Sequence, residues 1–324
     1  MNTETILLGD AGGTNVRFAV ARVDHAQITL SPIWKRPGAD YPSFAAALAA
    51  FLAETGPNLT GAAFGLAGAE HHGRIELLNR GWTVDRRETV AQLGLDGVVM
   101  VNDFFAMARG AVELAAGDAL EITAGEIDPL GSVAVGGPGT GFGIAVLRRI
   151  RDGWVVVAGE GGHQNYVPQT DLEWRVAENL RARGVYPSNE IVAAGVGFDE
   201  TREALAIAMG LADPKLSQAG IITAAERGDA FALEFCRLRA RCVMTAMGNI
   251  ALVANSTGGV CLAGGVTQRL VPWLKEKSAL DRFYQRGPRT GLLAGIAIRN
   301  ITSETAPLIG AAHLWLDDRS RGWL

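Results

Sequence analysis

The sequence predicts an α/β protein of two domains with a cleft between them. Three observations point to this class. The 324 residues exceed what a single core usually holds. Short apolar strands alternate with helical stretches along the chain. A strand, a glycine-rich turn and a second strand occur together once in each half, as in a duplicated unit. With 48% of its residues hydrophobic, the chain can bury a sizeable core.

Ile6 to Leu8 is a short apolar strand ending in Gly9-Asp10-Ala11-Gly12-Gly13-Thr14-Asn15. Phe18 to Val23 follows and is too short and too β-like to open a helix. Tyr41 to Thr55 reads as an Ala/Leu-rich helix that starts after Pro42-Ser43. Gly61 to Gly68 is a buried strand with its exit turn. Gly97 to Val101 is a third strand, with Asn102-Asp103 at its C-terminal end and a helix from Phe104 to about Ala116 behind it. The pattern then recurs: strand Ser132 to Val135, turn Gly136 to Gly141, strand Ile144 to Arg148. Thr223 to Asn255 carries helical periodicity for most of its length. A strand at Gly258 to Leu262 leads through Gly264-Gly265 into a helix at Val266 to Lys277, and Ala306 to Asp317 is a last helix. Residues 1–108 with 306–324 are expected to form the smaller domain and residues 109–305 the larger.

Composition excludes several classes. The formal net charge is −4 with both signs scattered, and no Lys/Arg block marks a nucleic-acid or anionic-membrane surface. Cys236, Cys242 and Cys261 form no CxxC pair, and their odd count argues against a disulfide framework. The polar start, Met1 to Thr5, shows no signal-peptide pattern, and no apolar run approaches the about 20 residues of a membrane span. A cytoplasmic location is expected.

Four places carry chemistry. In Asp10-x-Gly12-Gly13-Thr14-Asn15-x-Arg17, glycines let a backbone turn approach a phosphate, and successive amides form an anion-binding concavity. Asp10, at a strand end, is placed to hold Mg²⁺ through water. Neither a GxxxxGK[ST] loop nor GxGxxG is present here; the structural alternative is an ordinary hairpin turn. The second glycine turn, Gly136 to Gly143, has the same logic, and two such hairpins can hold phosphates from two domains. Asn102-Asp103 lies where open α/β sheets bind ligands. A carboxylate there can take the proton of a substrate hydroxyl, the base role in phosphoryl transfer to an alcohol; the alternative is a helix N-cap. Glu160-Gly161-Gly162-His163 is a tight polar turn able to meet a polyhydroxyl ligand, or else a solvated loop. His25, His71, His72 and His313 read as surface or helix residues.

Together these motifs resemble a family. The chain is similar, over nearly its whole length, to bacterial glucokinases of the non-ROK type, within the actin-like and hexokinase-like ATPases. The resemblance runs through the Gly9–Asn15 motif, Asn79-x-x-Trp82, Val101-Asn102-Asp103-Phe104, Gly137-Pro138-Gly139-Thr140-Gly141-x-Gly143, Gly159-Glu160-Gly161-Gly162-His163, Ser188-Asn189-Glu190 with Gly195, and Ala263-Gly264-Gly265. Glu-Gly-Gly-His is the most specific of these; the first glycine motif is shared across the superfamily. The resemblance implies two actin-like (ribonuclease-H-like) α/β domains and ATP-dependent phosphorylation of glucose at the 6-hydroxyl. It implies that Asn102, Asp103, Glu160, His163 and Glu190 contact the sugar, with Asp103 as catalytic base. It places Gly9, Asp10, Ala11, Gly12, Gly13 and Thr14 at ATP, Gly139 and Thr140 near its phosphates, and Gly264 and Gly265 by the adenosine. ATP and Mg²⁺ are the expected cofactors, and a homodimer the expected assembly.

One stretch departs from the family pattern. Gly65-Leu66-Ala67-Gly68-Ala69-Glu70 stands where a Pro-containing sugar loop is usual, and Gly-Leu-Ala-Gly is similar to N-acetylglucosamine kinases. Kinases for N-acetylglucosamine, fructose or mannose are the competing enzymes. A sugar-responsive regulator is opposed by the absence of a zinc signature and of room before the first motif for a helix-turn-helix domain. A motor or chaperone-like ATPase is opposed by the compact length and the Glu-Gly-Gly-His turn.

Overall fold

A computed structural model of the chain describes residues 4–24, 27–77, 80–95, 97–115, 117–151 and 153–321. Asn79 and His25 lie outside the described residues. The chain divides into two compact units: residues 1–115, 151–156 and 303–324, and residues 116–150 with 157–302.

The first unit opens with the strands β1 (Glu4–Ala11), β2 (Asn15–Asp24), β3 (Gln27–Leu30) and β4 (Trp34–Pro37). Helix α1 (Phe44–Thr55) follows, capped by the Ser43 side chain, which accepts the Ala46 N–H at 3.1 Å. Then come β5 (Gly61–Leu66), a small hairpin set β6 (Glu70–His71), β7 (Arg74–Leu77) and β8 (Trp82–Asp85), helix α2 (Arg86–Leu93), β9 (Val98–Asn102) and α3 (Asp103–Gly110). The main sheet runs in the order β3-β2-β1-β5-β9, with β4 also on β2. β1, β5 and β9 are parallel and β1–β2 is an antiparallel hairpin.

Strand alternation sorts this sheet's two faces. Leu7 and Ala11 join Phe18, Phe44, Phe51 and Phe64 in one core, whereas Ile6 and Leu8 join Ala63, Val99 and Ala106 in another. Gly9 falls on the phenylalanine face. A Cβ there would sit 2.6 Å from Phe64 Cδ1, so its missing side chain makes room for packing. Asp10 falls on the opposite face, toward α3.

The second unit holds β10 (Ala119–Thr123), β11 (Val133–Pro138), β12 (Phe142–Ile150) and β13 (Gly153–Gly159), the strand in which unit membership changes. Helices α4 (Asp171–Ala182), α5 (Asn189–Ala193), α6 (Phe198–Ala208), α7 (Gln218–Glu226) and α8 (Ala230–Ala254) follow. The rest is β14 (Val260–Leu262), α9 (Gly265–Leu274), α10 (Lys277–Tyr284), α11 (Thr290–Leu293) and β15 (Ile298–Ile301). Its sheet has the order β10-β15-β14-β11-β12-β13. Helix α8 is buried along most of its length at the centre of this unit's core.

The last helix, α12 (Ala306–Ser320), belongs to the first unit and packs on α3. The two backbones approach closely at glycines. A Cβ on Gly110 would lie 1.9 Å from the Ala306 carbonyl oxygen, and one on Gly310 would lie 1.8 Å from that of Ala106. Arg109 ties the pair through Asp317 at 2.9 Å.

Four element expectations need correction. Strands β1 and β11 run through the glycines expected in turns, so the first turn is only Gly12–Thr14 and the second only Gly139–Gly141. Glycine here serves packing: a Cβ on Gly136 would meet Met247 Sδ at 2.5 Å. The helix expected up to Ala116 stops at Gly110. The expected helix from Thr223 to Asn255 is two, broken where Gly228 adopts φ +86° and Asp229 caps α8 by accepting the Ala232 N–H. The helix expected to reach Lys277 ends at Leu274, and α10 starts anew.

Candidate active site

In the first unit the parallel register aligns Asp10 on β1 with Gly65 on β5 and Val101 on β9. Register partners in parallel strands point the same way, so Asp10 and the bare Cα of Gly65 face α3. A Cβ on Gly65 would lie 3.4 Å from Asp103 Cα and 3.0 Å from Ala106 Cβ. Gly65 therefore lets the start of α3 pack close against β5. Burial and the nearby Asp10 carboxylate push the Asp103 carboxyl up to about 6. Asp10 is itself raised by burial, against the pull of Arg17, whose Nη1 donates to Oδ2 at 2.6 Å. Arg17 stands directly across the β1–β2 ladder from Asp10.

Asn102 is the N-cap of α3. Its Oδ1 accepts the Phe104 N–H at 2.8 Å and the Phe105 N–H at 3.3 Å, and its Nδ2 donates to the Gly68 carbonyl at 3.0 Å. The capping alternative thus describes Asn102, with one Nδ2 hydrogen left over. Asp103 occupies the first helical position, where one oxygen accepts the Phe104 N–H at 2.8 Å.

The turn Gly12–Thr14 closes through the Gly12 N–H to Asn15 O, at 3.2 Å. Among the described residues the amides of Gly13 and Thr14 have no protein partner, so they are the donors the turn offers to an anion. Arg80, which sequence reasoning missed, braces the turn: its Nε donates to Gly12 O at 3.1 Å. No motif marked it, since its role depends on where the β7–β8 hairpin lies.

In the second unit, Glu160 precedes a single 3₁₀ turn, Gly161–His163. Both glycines are required by packing on β12. A Cβ on Gly162 would sit 2.1 Å from Phe142 O, and one on Gly161 2.9 Å from Ile144 Cδ1. His163 Nε2 lies 3.8 Å from Glu160 Oε2 and 3.6 Å from Glu190 Oε1. The three sugar candidates of this unit thus come together. Glu160 and His163 are largely exposed; Glu190 is mostly buried.

Short helix α5, which carries Glu190, is held at both ends. Ser188 Oγ accepts the Ile191 N–H at 3.2 Å, and Arg239 donates from Nε and Nη2 to the Ala193 carbonyl, at 3.0 and 2.5 Å. Burial lowers Arg239 to about 10, so it stays charged at neutral pH. Sequence reasoning did not single out Arg239, which lies 46 residues from its carbonyl partner.

The turn Gly139–Gly141 joins the same cluster. Its Gly139 N–H is spent on Gly141 O at 2.8 Å, leaving the Thr140 and Gly141 amides without protein partners among the described residues. Gly141, which the sequence reading placed in the turn without giving it a role of its own, thus has a free amide where Gly139 does not. Gly264, at φ +106°, packs under the turn; a Cβ there would lie 2.4 Å from Pro138 O. Gly264 and Gly265 then open α9, whose N-terminus has no side-chain cap.

Among the described residues no group of three or more His, Cys, Asp or Glu side chains is placed to cage a metal. That suits Mg²⁺, which is commonly held by one or two carboxylates, waters and substrate phosphates. Asp10 fits, since the Arg17 bond takes only one of its oxygens.

A family model described as Glucokinase matches residues 7–318. The glucokinase of Chelativorans sp. (strain BNC1) is 34% identical over 309 residues, 95% of this chain and 90% of its own. That of Saccharophagus degradans is 32% identical over 314 residues, 96% and 98% of the two chains. The crystal structure of glucokinase from an Antarctic psychrotroph superposes with a TM-score of 0.86 at 30% identity, covering 97% of this chain and 99% of that one. The fold is of the actin-like α/β class that the resemblance implied. The chain belongs to the glucokinase family, whose reaction is the phosphorylation of glucose.

Proposed function

We propose that this chain transfers the γ-phosphoryl group of ATP to the 6-hydroxyl of glucose, with Asp103 as the general base. The observation that carries this reading is the Asp103 carboxyl. It opens α3 at the end of β9, keeps one oxygen free of helix bonds, and titrates near 6. Such a group is mostly ionised at neutral pH yet basic enough to take a proton from an alcohol. The hydroxyl proton passes to the free Asp103 oxygen as the glucose oxygen bonds to the γ-phosphorus. The bond from that phosphorus to the β,γ-bridging oxygen breaks, and ADP leaves.

Most of the remaining roles are those that the family resemblance implies, and each residue's surroundings are compatible with them. Asn102 offers its spare Nδ2 hydrogen to the sugar, Glu160 and Glu190 accept from sugar hydroxyls, and His163 donates or accepts by tautomer. Amides of Gly13, Thr14, Thr140 and Gly141 face phosphate oxygens, while Gly264 and Gly265 lie by the adenosine. Asp10 holds Mg²⁺ through water; the ion supplies charge neutralisation at the transferred phosphate. Three free, buried cysteines fit a reducing cytoplasm.

The test is Asp103→Asn, which keeps the shape and removes the basicity. A coupled assay for glucose 6-phosphate is expected to show kcat lower by at least ~10²-fold, with glucose affinity within a few-fold of wild type. A near wild-type kcat would remove Asp103 from the role.

A further inference from the structure

Glu190 takes part in two structures at once. Its Oε1 faces His163 Nε2 and, in the reading above, the sugar. Its Oε2 accepts the N–H of Phe142 at 2.8 Å, the residue that ends the Gly139–Gly141 turn. The segment that carries Glu190 grips the turn twice more. The Gly195 N–H donates to Gly139 O and the Val196 N–H to Thr140 O, each at 3.0 Å. Gly141 makes the arrangement possible: a Cβ there would lie 2.7 Å from Glu190 Oε2.

We propose that Glu190 couples the two substrates, because one carboxylate both meets the sugar and fixes the turn that meets the nucleotide phosphates. The inference rests on the reading that Glu190 contacts glucose and that the Gly139–Gly141 turn contacts phosphate. A free glutamate side chain samples several rotamers, and ordering it costs entropy. A sugar hydroxyl bonded to Oε1 bears that cost and leaves Oε2 aimed at the Phe142 amide. The turn is then held before the nucleotide arrives, so the nucleotide binds a site already ordered. By linkage the nucleotide must tighten glucose by the same factor. Without sugar the turn is held less firmly, which lowers ATP turnover to water.

Calorimetry of a non-hydrolysable ATP analogue with Mg²⁺, with and without saturating glucose, tests this. In the wild type, glucose is expected to tighten the analogue about tenfold, within the usual range for coupled sites. Gly141→Ala crowds the carboxylate without adding a charge, and comparing affinities with and without glucose separates the coupling from any direct effect on nucleotide binding. Its coupling factor is expected to fall to near one, with circular dichroism unchanged. If Gly141→Ala does not fold, Glu190→Ala carries the test: at saturating glucose it should lose the coupling, whereas Glu190→Gln, which keeps an oxygen for the Phe142 N–H, should retain most of it. Full coupling in folded Gly141→Ala or in Glu190→Ala, or none in wild type, would overturn the proposal. Glucose affinity without nucleotide separates the two ideas. If both Glu190 variants bind glucose like wild type, the underlying sugar assignment fails as well.

Discussion

Asp10 on β1 and Asp103 at the start of α3 are electrostatically coupled across β5, and the Asp10 carboxylate helps hold the Asp103 carboxyl near 6. Gly65, the register partner of Asp10, lets α3 pack close to the sheet: a Cβ there would crowd Ala106 at 3.0 Å and just touch Asp103 Cα at 3.4 Å. A carboxylate raised this far is a base poised for neutral pH, and a second carboxylate on the same face suits a site that works on a metal-bound phosphate.

The pair predicts an acidic limb. As the proposed base, Asp103 works only when ionised, so kcat/KM for glucose should fall as pH drops through about 6. Asp10→Asn removes the like charge and leaves Arg17 in place. The Asp103 titration should then move to lower pH, read by carboxyl NMR in the variant whatever its activity. A limb below pH 5 in wild type, or no movement in the variant, would contradict the coupling.

Stability should carry the opposite sign. The folded pKa of Asp103 lies above the ordinary carboxylate value, so its charged form is disfavoured in the native state. The penalty is absent below about pH 4, grows as pH rises through about 6, and is full above it. Asp103→Asn should therefore melt higher than wild type at pH 8, with the difference shrinking toward pH 4. Equal differences at both pH values would show that the gain has another source.

Gly12→Ala tests the first turn. No atom lies within 4 Å of a Cβ built there, and its φ is not in the left-handed region. The variant should fold and melt like wild type. Nucleotide affinity should fall about tenfold or more if a phosphate occupies that space, with glucose affinity in the absence of nucleotide unchanged. Calorimetry showing wild-type nucleotide affinity would make the turn only a turn.

Gly310→Ala tests the α3–α12 crossing, where the new Cβ would overlap the Ala106 carbonyl. Overpacking of this kind costs about 1–3 kcal/mol or more. A clear drop in Tm is expected, with kcat retained at low temperature. An unchanged Tm would mean that the helices separate without penalty.

Much of this site was legible as motifs, because glycine runs and Glu-Gly-Gly-His are local. What the motifs hid was why each glycine is there. Gly9, Gly136, Gly161 and Gly162 clear space for packing, whereas Gly12 faces open space. That division depends on which face of a strand each residue takes and what lies across it, which is tertiary information. Strand ends were misjudged for the same reason: β1 and β11 continue through glycines because neighbouring strands supply their hydrogen bonds. The helices α4 and α6 lay between motifs and were not anticipated, and the motif Ser188-Asn189-Glu190 gave no sign that it opens the short helix α5. Arg80 and Arg239 act on carbonyls 68 and 46 residues away, a relation no local pattern reports.

The Gly65–Glu70 stretch, which departs from the family pattern, has a structural explanation. Gly65 clears α3, and a Cβ on Gly68 would lie 2.3 Å from Glu76 O, so both glycines serve the fold. Nothing in them requires an N-acetyl group. The most direct measurement is therefore kcat/KM for glucose and for N-acetylglucosamine with ATP, each alone and in competition. Glucose should be the better substrate, since in the proposed reading Glu160, His163 and Glu190 pair with hydroxyls that an analogue lacking them leaves unmatched, and ATP consumption should depend strictly on added sugar. Preference for N-acetylglucosamine, or ATP turnover that ignores the sugar, would contradict the account.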